Sequence, residues 1–381
     1  MASDSSSFSR LAWSTSIDVT PPIGTWQAGF AARHEPSTGI YQELRAATLA
    51  LTDGSTTVVM VSIDWLGFYN HAHRFQAALA QTAGIPESNV FLFATHTHYG
   101  PILRPMDAIR HGTKPVTEYI DCVLQGLEDS VVTVLASLAP VTLHIGTGTC
   151  GFSASRRLPE PDGSVSWKPT LEAAHDHTVP AMIIRNEEQE VEATLFGYAC
   201  HPTSAGVITL IGGGYPGFAA RHLEKHFSVS HSLFIQGCGG DQKPFCADPE
   251  TGNFRNASLE EIEQFGVQLA ESVMHLVEQR ETKELHGALS AGSNSITLST
   301  QPIRSEDLAL WKTSEHEYVQ VWIKHFEERL KEQDSVATHV PFIIQALCIG
   351  RELALVGLSA EATAGYGIRM RAQFESRFNT I

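Results

Sequence analysis

The stretch Phe91-Leu-Phe-Ala-Thr-His96-Thr-His98-Tyr-Gly-Pro101 places two histidines after an apolar run and directly before a Gly-Pro turn. An apolar run that ends in a turn predicts a buried strand. Side chains at positions i and i+2 of a strand point the same way, so we expect the imidazoles of His96 and His98 to leave the sheet together. Paired histidines at the rim of a sheet are typical of metal sites, although two polar residues that merely cap a strand give the same pattern.

Two further apolar segments run into polar residues. Phe196-Gly-Tyr-Ala-Cys-His201 ends in a histidine, and Ser232-Leu-Phe-Ile-Gln-Gly-Cys-Gly-Gly-Asp241 ends in a carboxylate. Open α/β sheets bind their ligands beyond the ends of neighbouring strands, so the three segments together predict one site. Asp241 has two interpretations, a base or partner of a histidine, and a residue of a tight turn after Gly-Gly. Asp64, after a predicted strand over 56–63, is a further carboxylate of this kind.

Periodicity predicts that strands and helices alternate along most of the chain. We expect helices over 71–83, 117–138, 217–227, 258–280 and 305–332, a final helix after Glu361 that ends at about Arg377, and strands over 43–51, 56–63, 89–94, 141–145, 179–184, 193–199, 232–236, 343–349 and 353–356. Two strand pairs form hairpins, one with a two-residue turn at Asp53-Gly54 and one that turns at Gly350. The predicted class is α/β, with a mixed β-sheet core and helices packed over it.

Composition limits the kind of protein. The 381 residues are 43% hydrophobic and no linker divides them, so we expect one domain over 1–381, with a disordered serine-rich start over 1–10. The net charge of −16 argues against nucleic acid and anionic membranes as partners. The chain has neither a signal segment nor a bilayer-spanning run, and its six cysteines are dispersed, so we expect a cytoplasmic protein. A homo-oligomer is compatible with the sequence but cannot be derived from it.

Four segments resemble, in order and approximate spacing, the catalytic domain of neutral/alkaline ceramidases and their uncharacterised relatives. They are Ala94-Thr-His-Thr-His-Tyr-Gly-Pro101, Tyr198-Ala-Cys-His-Pro-Thr-Ser204, Gln236-Gly-Cys-Gly-Gly-Asp-Gln-Lys-Pro244 and Leu355-Val-Gly-Leu-Ser-Ala-Glu361. The opening Asp18-Val-Thr-Pro-Pro-Ile-Gly24 is similar as well. The resemblance covers nearly the whole chain and implies the fold of that catalytic domain.

The resemblance also implies roles for particular residues. His96, His201 and Glu361 would ligate a zinc ion, and His98 would face the substrate and stabilise an oxyanion or move protons. An arginine that contacts the reacting carbonyl falls in Ala154-Ser-Arg-Arg157, where we favour Arg156. Two histidines and a glutamate are a common catalytic zinc set, which leaves a fourth position for water.

Departures from the family pattern bear on the substrate. Lys243 stands where ceramidases carry serine, and Gly212-Gly-Gly-Tyr-Pro-Gly217 lacks an acidic residue that relatives often have. The chain ends before the family's tyrosine ligand and C-terminal β-domain, and Tyr366 follows too closely to replace that tyrosine, so the fourth ligand is unassigned. We expect Tyr99, Arg157 and Lys243 to contact the substrate, and these cations suit a small anionic molecule better than ceramide.

The sequence therefore predicts a zinc-dependent hydrolase that cleaves an amide C–N bond of a small, soluble, anionic substrate through a metal-activated water. Catalysis would involve His98, Arg156 and Asp241. An ester or lactone hydrolase would use the same residues. The sequence is also compatible with a metal-dependent lyase or isomerase, in which His98 or Lys243 moves protons, and with a non-catalytic descendant that only binds a metal.

Overall fold

A computed structural model describes residues 10–104, 116–229, 231–315, 317–336, 338–374 and 378–380. The described α-helices are α1 Ala72–Ala83, α2 Thr117–Ala136, α3 Gly214–Phe227, α4 Leu259–Glu278, α5 Ser305–Trp311, α6 Glu317–Arg329 and α7 Ala364–Phe374. Short 3₁₀ turns occupy Tyr69–His71 and Glu87–Asn89. The serine-rich start, residues 1–9, lies outside the described residues. None of the described helices is both long and apolar enough to span a membrane.

The described strands are mostly short outside the central sheet. In chain order they are β1 Arg10–Asp18, β2 Gly39–Ile40, β3 Arg45–Thr52, β4 Thr57–Ile63, β5 Val90–Ala94, β6 Ala139–Thr149, β7 Ser153–Ser155, β8 Leu158–Pro159, β9 Val165–Ser166, β10 Thr178–Arg185, β11 Val191–Tyr198, β12 Leu210–Ile211, β13 His231–Gln236, β14 Gln242–Pro244, β15 Lys283–Glu284, β16 Leu289–Ser299, β17 Ile303–Arg304, β18 Ser335–Val336, β19 His339–Ile349, β20 Leu353–Leu358 and β21 Asn379–Thr380.

The central sheet is mixed, which confirms the predicted fold class. Its strand order is β13-β11-β10-β6-β1-β3-β4-β5, and β15 pairs with β6 outside that path. The pairs β11–β13 and β4–β5 are parallel, and the remaining neighbours are antiparallel. Strands β16, β19, β20 and β21 form a separate four-stranded sheet. Antiparallel hairpins combined with parallel helical crossovers produce this mixture.

The central sheet folds back on itself. Its two halves join through only three residue pairs between β1 and β6. Strand β13, at one end of the order, contacts β3, β4 and β5 at the other end, and the Ser62 hydroxyl donates to the Phe234 carbonyl across that contact at 2.5 Å. A shared apolar core that includes Leu49, Met60 and Leu195 lies between the halves. The sequence did not predict this arrangement.

Helices cover both outer faces of the folded sheet. Helices α1 and α2 pack on the half that contains β3 and β4, and α3 and α4 pack on the half that contains β10 and β11. Strands in such a four-layer arrangement are buried on both faces, so their sequences are continuously apolar rather than alternating. Strands β3 and β4 are accordingly buried at every position after their first residue.

Several local predictions can be compared with the structure. The capping box at Ser258 is confirmed, since its hydroxyl accepts from the Glu261 N–H and the Glu261 carboxylate accepts from the Ser258 N–H at 2.8 Å. The predicted two-residue turn at Asp53-Gly54 is wrong. Four residues separate the last pair, Thr52 and Thr57, because the Asp53 carboxylate accepts from the N–H groups of residues 55 and 56 and stabilises a longer loop. The helix predicted over 305–332 is two helices, α5 and α6.

The chain divides into two compact units. The larger contains residues 1–292, 346–356 and 361–381, and the smaller contains residues 293–345 and 357–360. The smaller unit has its own apolar cluster, formed by Leu308, Ile323, Phe326 and Val336. All the residues of the candidate site described below belong to the larger unit.

Candidate metal centre

His96 lies just beyond the end of β5 and not within the strand. The strand stops at Ala94, and His96 has a left-handed backbone with φ of +65°. The i, i+2 rule for strands therefore does not explain why His96 and His98 lie together. A left-handed conformation costs an ordinary residue about 1 to 2 kcal/mol. Backbone hydrogen bonding offsets this cost, because the His96 N–H donates to the Trp65 carbonyl at 3.0 Å.

Three histidines each donate their Nδ1–H to a backbone carbonyl. His96 bonds to Leu66 at 2.8 Å, His98 to Gly29 at 3.0 Å and His201 to Gly239 at 2.6 Å. In the neutral form of each ring, these bonds fix the tautomer in which the lone pair lies on Nε2. This is the arrangement in which imidazole binds a metal.

The three rings converge on one point. Their centroids are 5.1 Å apart for His96 and His98, 4.6 Å for His96 and His201, and 5.7 Å for His98 and His201. One ring nitrogen from each lies within 4.8 Å of the others. The Nε2 atoms of His96 and His98 are buried and have no hydrogen-bond partner among the residues that the structure describes. Buried polar atoms without a partner are costly, so a group that binds them here would be stabilising.

Glu361 lies between β20 and α7 and faces two of these rings. Its Oε1 lies 3.6 Å from the His96 Nε2, and its Oε2 lies 3.3 Å from the His201 Nε2. Because the Nδ1–H groups of both rings already bond to carbonyls, each Nε2 carries a lone pair that faces a carboxylate oxygen. Both atoms of each contact are acceptors, so a proton or a cation must lie between them. Ligands bound tetrahedrally to zinc at about 2.1 Å are about 3.4 Å apart. The observed spacing therefore fits a divalent ion.

The electrostatics of the cluster suit a cation. Burial, followed by the nearby His201, lowers the pKa of His96 to about 4. Burial, followed by His96, places the pKa of His98 well below its usual value. The contact with His201 and the charges of His96 and Arg156 lower the pKa of Glu361 to about 2. A neutral His96 and an ionised Glu361 are the protonation states that metal binding requires of these two residues.

The glycine loop, residues 237–241, holds the segment that carries Glu361. The Gly240 N–H donates to the Ala362 carbonyl at 2.8 Å, and a Cβ at position 240 would lie 2.4 Å from the Glu361 carbonyl oxygen. The Asp241 Oδ1 accepts from the Ala364 N–H at 2.9 Å, at the start of α7. Among the described residues Asp241 makes no hydrogen bond to a histidine ring. Its contacts therefore position Glu361 and give no direct support to a role as a base.

Of the two adjacent arginines, the structure brings one to the cluster. Arg156 donates through Nη2 to the Gly240 carbonyl at 2.7 Å, and its charge contributes to the low pKa of Glu361. The Arg156 Nε is buried and finds no hydrogen-bond partner in the described part of the chain. Arg157 is exposed, and its N–H donates to the Ser155 hydroxyl at 3.2 Å. Arg156 is therefore the better candidate for a contact to a substrate.

The other predicted site residues differ in their surroundings. Tyr99 is 1% exposed, and its hydroxyl accepts from the Ala205 N–H at 3.0 Å. We therefore correct its assignment from substrate contact to core packing. Lys243 is 9% exposed, and its Nζ lies 4.6 Å from the centre of the Phe254 ring.

Asp64 is buried beside the strand ends. Its Oδ2 accepts from the Arg45 N–H at 2.9 Å, and its Oδ1 accepts from the Thr95 hydroxyl at 3.1 Å. Burial raises the pKa of this carboxyl. Asp64 thus anchors the residue before His96 and contacts none of the three histidine rings within the part of the chain that the structure describes.

Two supporting residues carry no local sequence signal. Arg33 is fully buried and donates to the carbonyls of Gln27 at 3.0 Å, Ala28 at 2.6 Å and His98 at 3.0 Å. Gly29 has φ of +97°, and a Cβ there would lie 2.4 Å from the His98 ring. Both residues come from a loop near the N-terminus, so only the folded chain shows that they hold His98.

Comparison with known proteins supports a family assignment. Residues 14–304 match the family model described as neutral/alkaline non-lysosomal ceramidase, N-terminal. The fold is similar to a structure titled ceramidase complexed with C2, with a TM-score of 0.75 and 18% identity over 98% of this chain and 68% of that one. It is also similar to the neutral ceramidase from Pseudomonas aeruginosa, with a TM-score of 0.73 and 18% identity over 98% of this chain and 66% of that one. This chain thus spans about two thirds of the length of each.

A search of curated proteins gave no significant match. The family match covers most of the chain and confirms the resemblance seen in the sequence motifs. The chain belongs to the neutral/alkaline non-lysosomal ceramidase family.

Proposed function

We propose that the protein is a zinc-dependent hydrolase that cleaves an amide C–N bond in a small, soluble substrate carrying an anionic group. The observation that carries the proposal is the contact of the Glu361 carboxylate with the Nε2 atoms of His96 and His201, whose Nδ1–H groups are bound elsewhere. Membership of the ceramidase family supports amide hydrolysis as the reaction class.

His96, His201 and Glu361 are the proposed zinc ligands. Two imidazole nitrogens and one carboxylate oxygen form a donor set that zinc enzymes use. A bound zinc ion would supply a Lewis acid that polarises a carbonyl group and lowers the pKa of water to about 7. Glu361 is the exposed member of the set, so a substrate would approach from its side.

His98 is the proposed proton carrier. Its Nδ1–H is engaged on the Gly29 carbonyl, so the lone pair that can accept a proton lies on Nε2. Amide hydrolysis requires a proton to be taken from the attacking water and another to be delivered to the departing nitrogen. His98 Nε2 can do both in turn, whereas a neutral ring in this tautomer cannot donate to an oxyanion. We therefore favour proton transfer over oxyanion stabilisation for His98.

Arg156 is the proposed partner of the reacting carbonyl oxygen. Its guanidinium is held by the Gly240 carbonyl at 2.7 Å and by the Trp167 ring, whose centre lies 4.8 Å from Cζ. These contacts fix its orientation before a substrate binds. A fixed donor aimed at the oxygen where charge develops is an effective form of transition-state stabilisation.

Ester, lactone and proton-transfer chemistries would use the same side chains. Esters and lactones present the same carbonyl group, and a lyase or isomerase would use His98 or Lys243 to move protons. A descendant that binds metal without catalysis would need only the ligands. The six cysteines are all unpaired, which is typical of a reducing compartment, and we propose a cytoplasmic location on that basis.

Metal analysis and a substrate panel test the proposed function. The panel contains N-acyl amino acids, their esters, simple lactones, and short-chain and long-chain ceramides. We expect about one zinc ion per chain and hydrolysis of an N-acyl amino acid that chelation abolishes and zinc restores. Zinc-loaded protein that hydrolyses no amide would contradict the amide assignment, and a preference for long-chain ceramide would contradict the small soluble substrate.

A further inference from the structure

We propose that Arg156 and Lys243, together with the rings of Trp167 and Phe254, form a subsite for an anionic oxygen group, a carboxylate or a phosphate, on a flat apolar part of the substrate. The inference rests on the proposed function, because it assigns this subsite to the substrate of the same centre. The arrangement of the three histidines would be the same without this subsite.

The two cations lie on one face of a small β-ribbon. Strands β7 and β14 are antiparallel, with Lys243 opposite Ala154. The Arg156 N–H donates to the Asp241 carbonyl at 2.8 Å, so the pairing continues one step past β7. Residues two apart along a strand share a face. Arg156 and Lys243 are thus diagonal neighbours, a relation that typically separates backbones by about 7 to 8 Å and lets long side chains meet.

Aromatic rings hold both cations in place. The Arg156 Cζ lies 4.8 Å from the centre of the Trp167 ring, and the Lys243 Nζ lies 4.6 Å from the centre of the Phe254 ring. The two ring centres are 6.1 Å apart. Trp167 is 58% exposed, so this cluster is open to solvent on one side. A flat ligand can therefore reach the rings while its charged group reaches the cations.

Lys243 is buried, and its charge has no counter-ion among the described residues. Lys243 is 9% exposed, and neither it nor Arg156 forms an ion pair within the described part of the chain. Glu361 and Asp241 partly offset the effect of burial on the pKa of Arg156. Neither pairs directly with it, since the Asp241 Oδ1 accepts from Gln242 and Ala364 and Glu361 faces the histidines. Lysine is almost never buried without a partner, because burying an unpaired charge is costly. An anion from outside the chain would supply that partner.

The chemistry of the two cations indicates the kind of anion. Guanidinium offers a planar fork that matches a carboxylate or phosphate, whereas ammonium acts as a point charge with three donors. The Arg156 Nε, buried and without a partner, is the donor that such a ligand would satisfy. Burial also lowers the pKa of Lys243, which is consistent with an ammonium group that lacks a counter-ion. The structure thus favours an aromatic or similarly flat carboxylate or phosphate over a neutral lipid.

The test uses binding to metal-free protein, so that zinc contributes nothing to the signal. Benzoate, phenyl phosphate and the neutral analogue benzamide are titrated calorimetrically into the wild type and Lys243→Met at about pH 8. We expect at least one anion to bind the wild type more tightly than benzamide. Lys243→Met should weaken that anion roughly ten- to hundredfold, as expected for loss of a charge-assisted hydrogen bond, and leave benzamide unchanged. The anion that binds more tightly identifies the group as a carboxylate or a phosphate.

Two further variants keep the test decisive. Lys243→Arg retains the charge and should keep anion binding within a few-fold, even if Lys243→Met folds poorly. Lys283→Met removes an exposed lysine that pairs with Glu352 and should change nothing. Equal binding of anions and benzamide, or unchanged anion binding in Lys243→Met, would refute the subsite. Intact anion binding in a protein that hydrolyses no amide would refute only the proposed function.

Discussion

Gly29→Ala separates the role of His98 from the role of the proposed metal ligands. A Cβ at position 29 would lie 2.4 Å from both Cγ and Nδ1 of the His98 ring. Normal contacts between non-bonded heavy atoms are about 3.5 to 4.0 Å. The ring must therefore move by about 1 Å or lose its hydrogen bond to the Gly29 carbonyl. His96 and His201 bond to other carbonyls and should stay in place.

The expected loss of activity follows from that displacement. A misplacement of about 1 Å in a reacting group can reduce turnover about 10²-fold. We therefore expect kcat/KM for the best amide of the substrate panel to fall about 10²-fold in Gly29→Ala. Zinc affinity should fall by less than about threefold, because zinc is bound by other side chains in this account. The two readouts are steady-state kinetics and zinc competition with a chromophoric chelator.

A matched control is available in the same loop region. Gly24 also has φ of +97°, but a Cβ at position 24 meets no atom within 4 Å. Gly24→Ala thus introduces the same backbone strain, about 1 to 2 kcal/mol, without touching His98. It should lower the melting temperature as Gly29→Ala does and leave kcat/KM within about twofold. A large loss of zinc affinity in Gly29→Ala alone would make His98 a metal ligand and refute the reasoning.

Three other outcomes are expected. His98→Ala should keep zinc and reduce turnover about 10² to 10⁴-fold, and loss of the metal would contradict its role as proton carrier. Arg371→Gln breaks the contact of α7 with the buried Asp176, so the segment that carries Glu361 should be held less firmly and zinc affinity should fall, whereas the exposed Arg369→Gln should not change it. Binding of the preferred anion, benzoate or phenyl phosphate, requires a charged Lys243, whose pKa is lowered by burial. Its affinity should therefore fall as pH rises, beginning below the usual lysine range near 10.4. The nearby Arg156 stays charged and Cys200 and Cys246, with raised pKa values, stay neutral, so a pH-independent affinity would argue against Lys243.

The fold could be predicted from the sequence to the extent that it depends on local patterns. Helix α4 begins at the capping box that Ser258 and Glu261 predict, and the strands before the two histidine motifs end close to the predicted positions. The folding of the sheet onto itself could not be predicted, because the contact of β13 with β3, β4 and β5 joins segments far apart in the chain. Periodicity within one segment contains no information about such a contact.

The candidate site could be predicted only in part for the same reason. The motifs drew attention to His96, His201 and Glu361, which do meet in the structure, although their role as ligands stays a prediction. The i, i+2 argument for His96 was wrong because the strand ends before it. Arg33 holds His98 by donating a hydrogen bond to its carbonyl, and Gly29 leaves room for the His98 ring, which lies close to it. Such roles depend on the neighbours in space and not on residue type.

Of the subsite residues, likewise, some could be noted from the sequence and others only from the structure. Lys243 was noted in the sequence because it departs from the family pattern. Trp167 and Phe254 lie far from each other in sequence, and no motif connects them. Only their ring contacts with the two cations reveal a shared surface.

The most direct test of the central claim is anomalous X-ray diffraction at the zinc edge from crystals of the zinc-loaded protein. We predict a single strong peak about 2.0 to 2.2 Å from the Nε2 atoms of His96 and His201 and from one carboxylate oxygen of Glu361. His201→Ala crystals grown in the same way should lack the peak. A zinc peak bound elsewhere, with none at this cluster, would contradict the proposed metal centre and the function inferred from it.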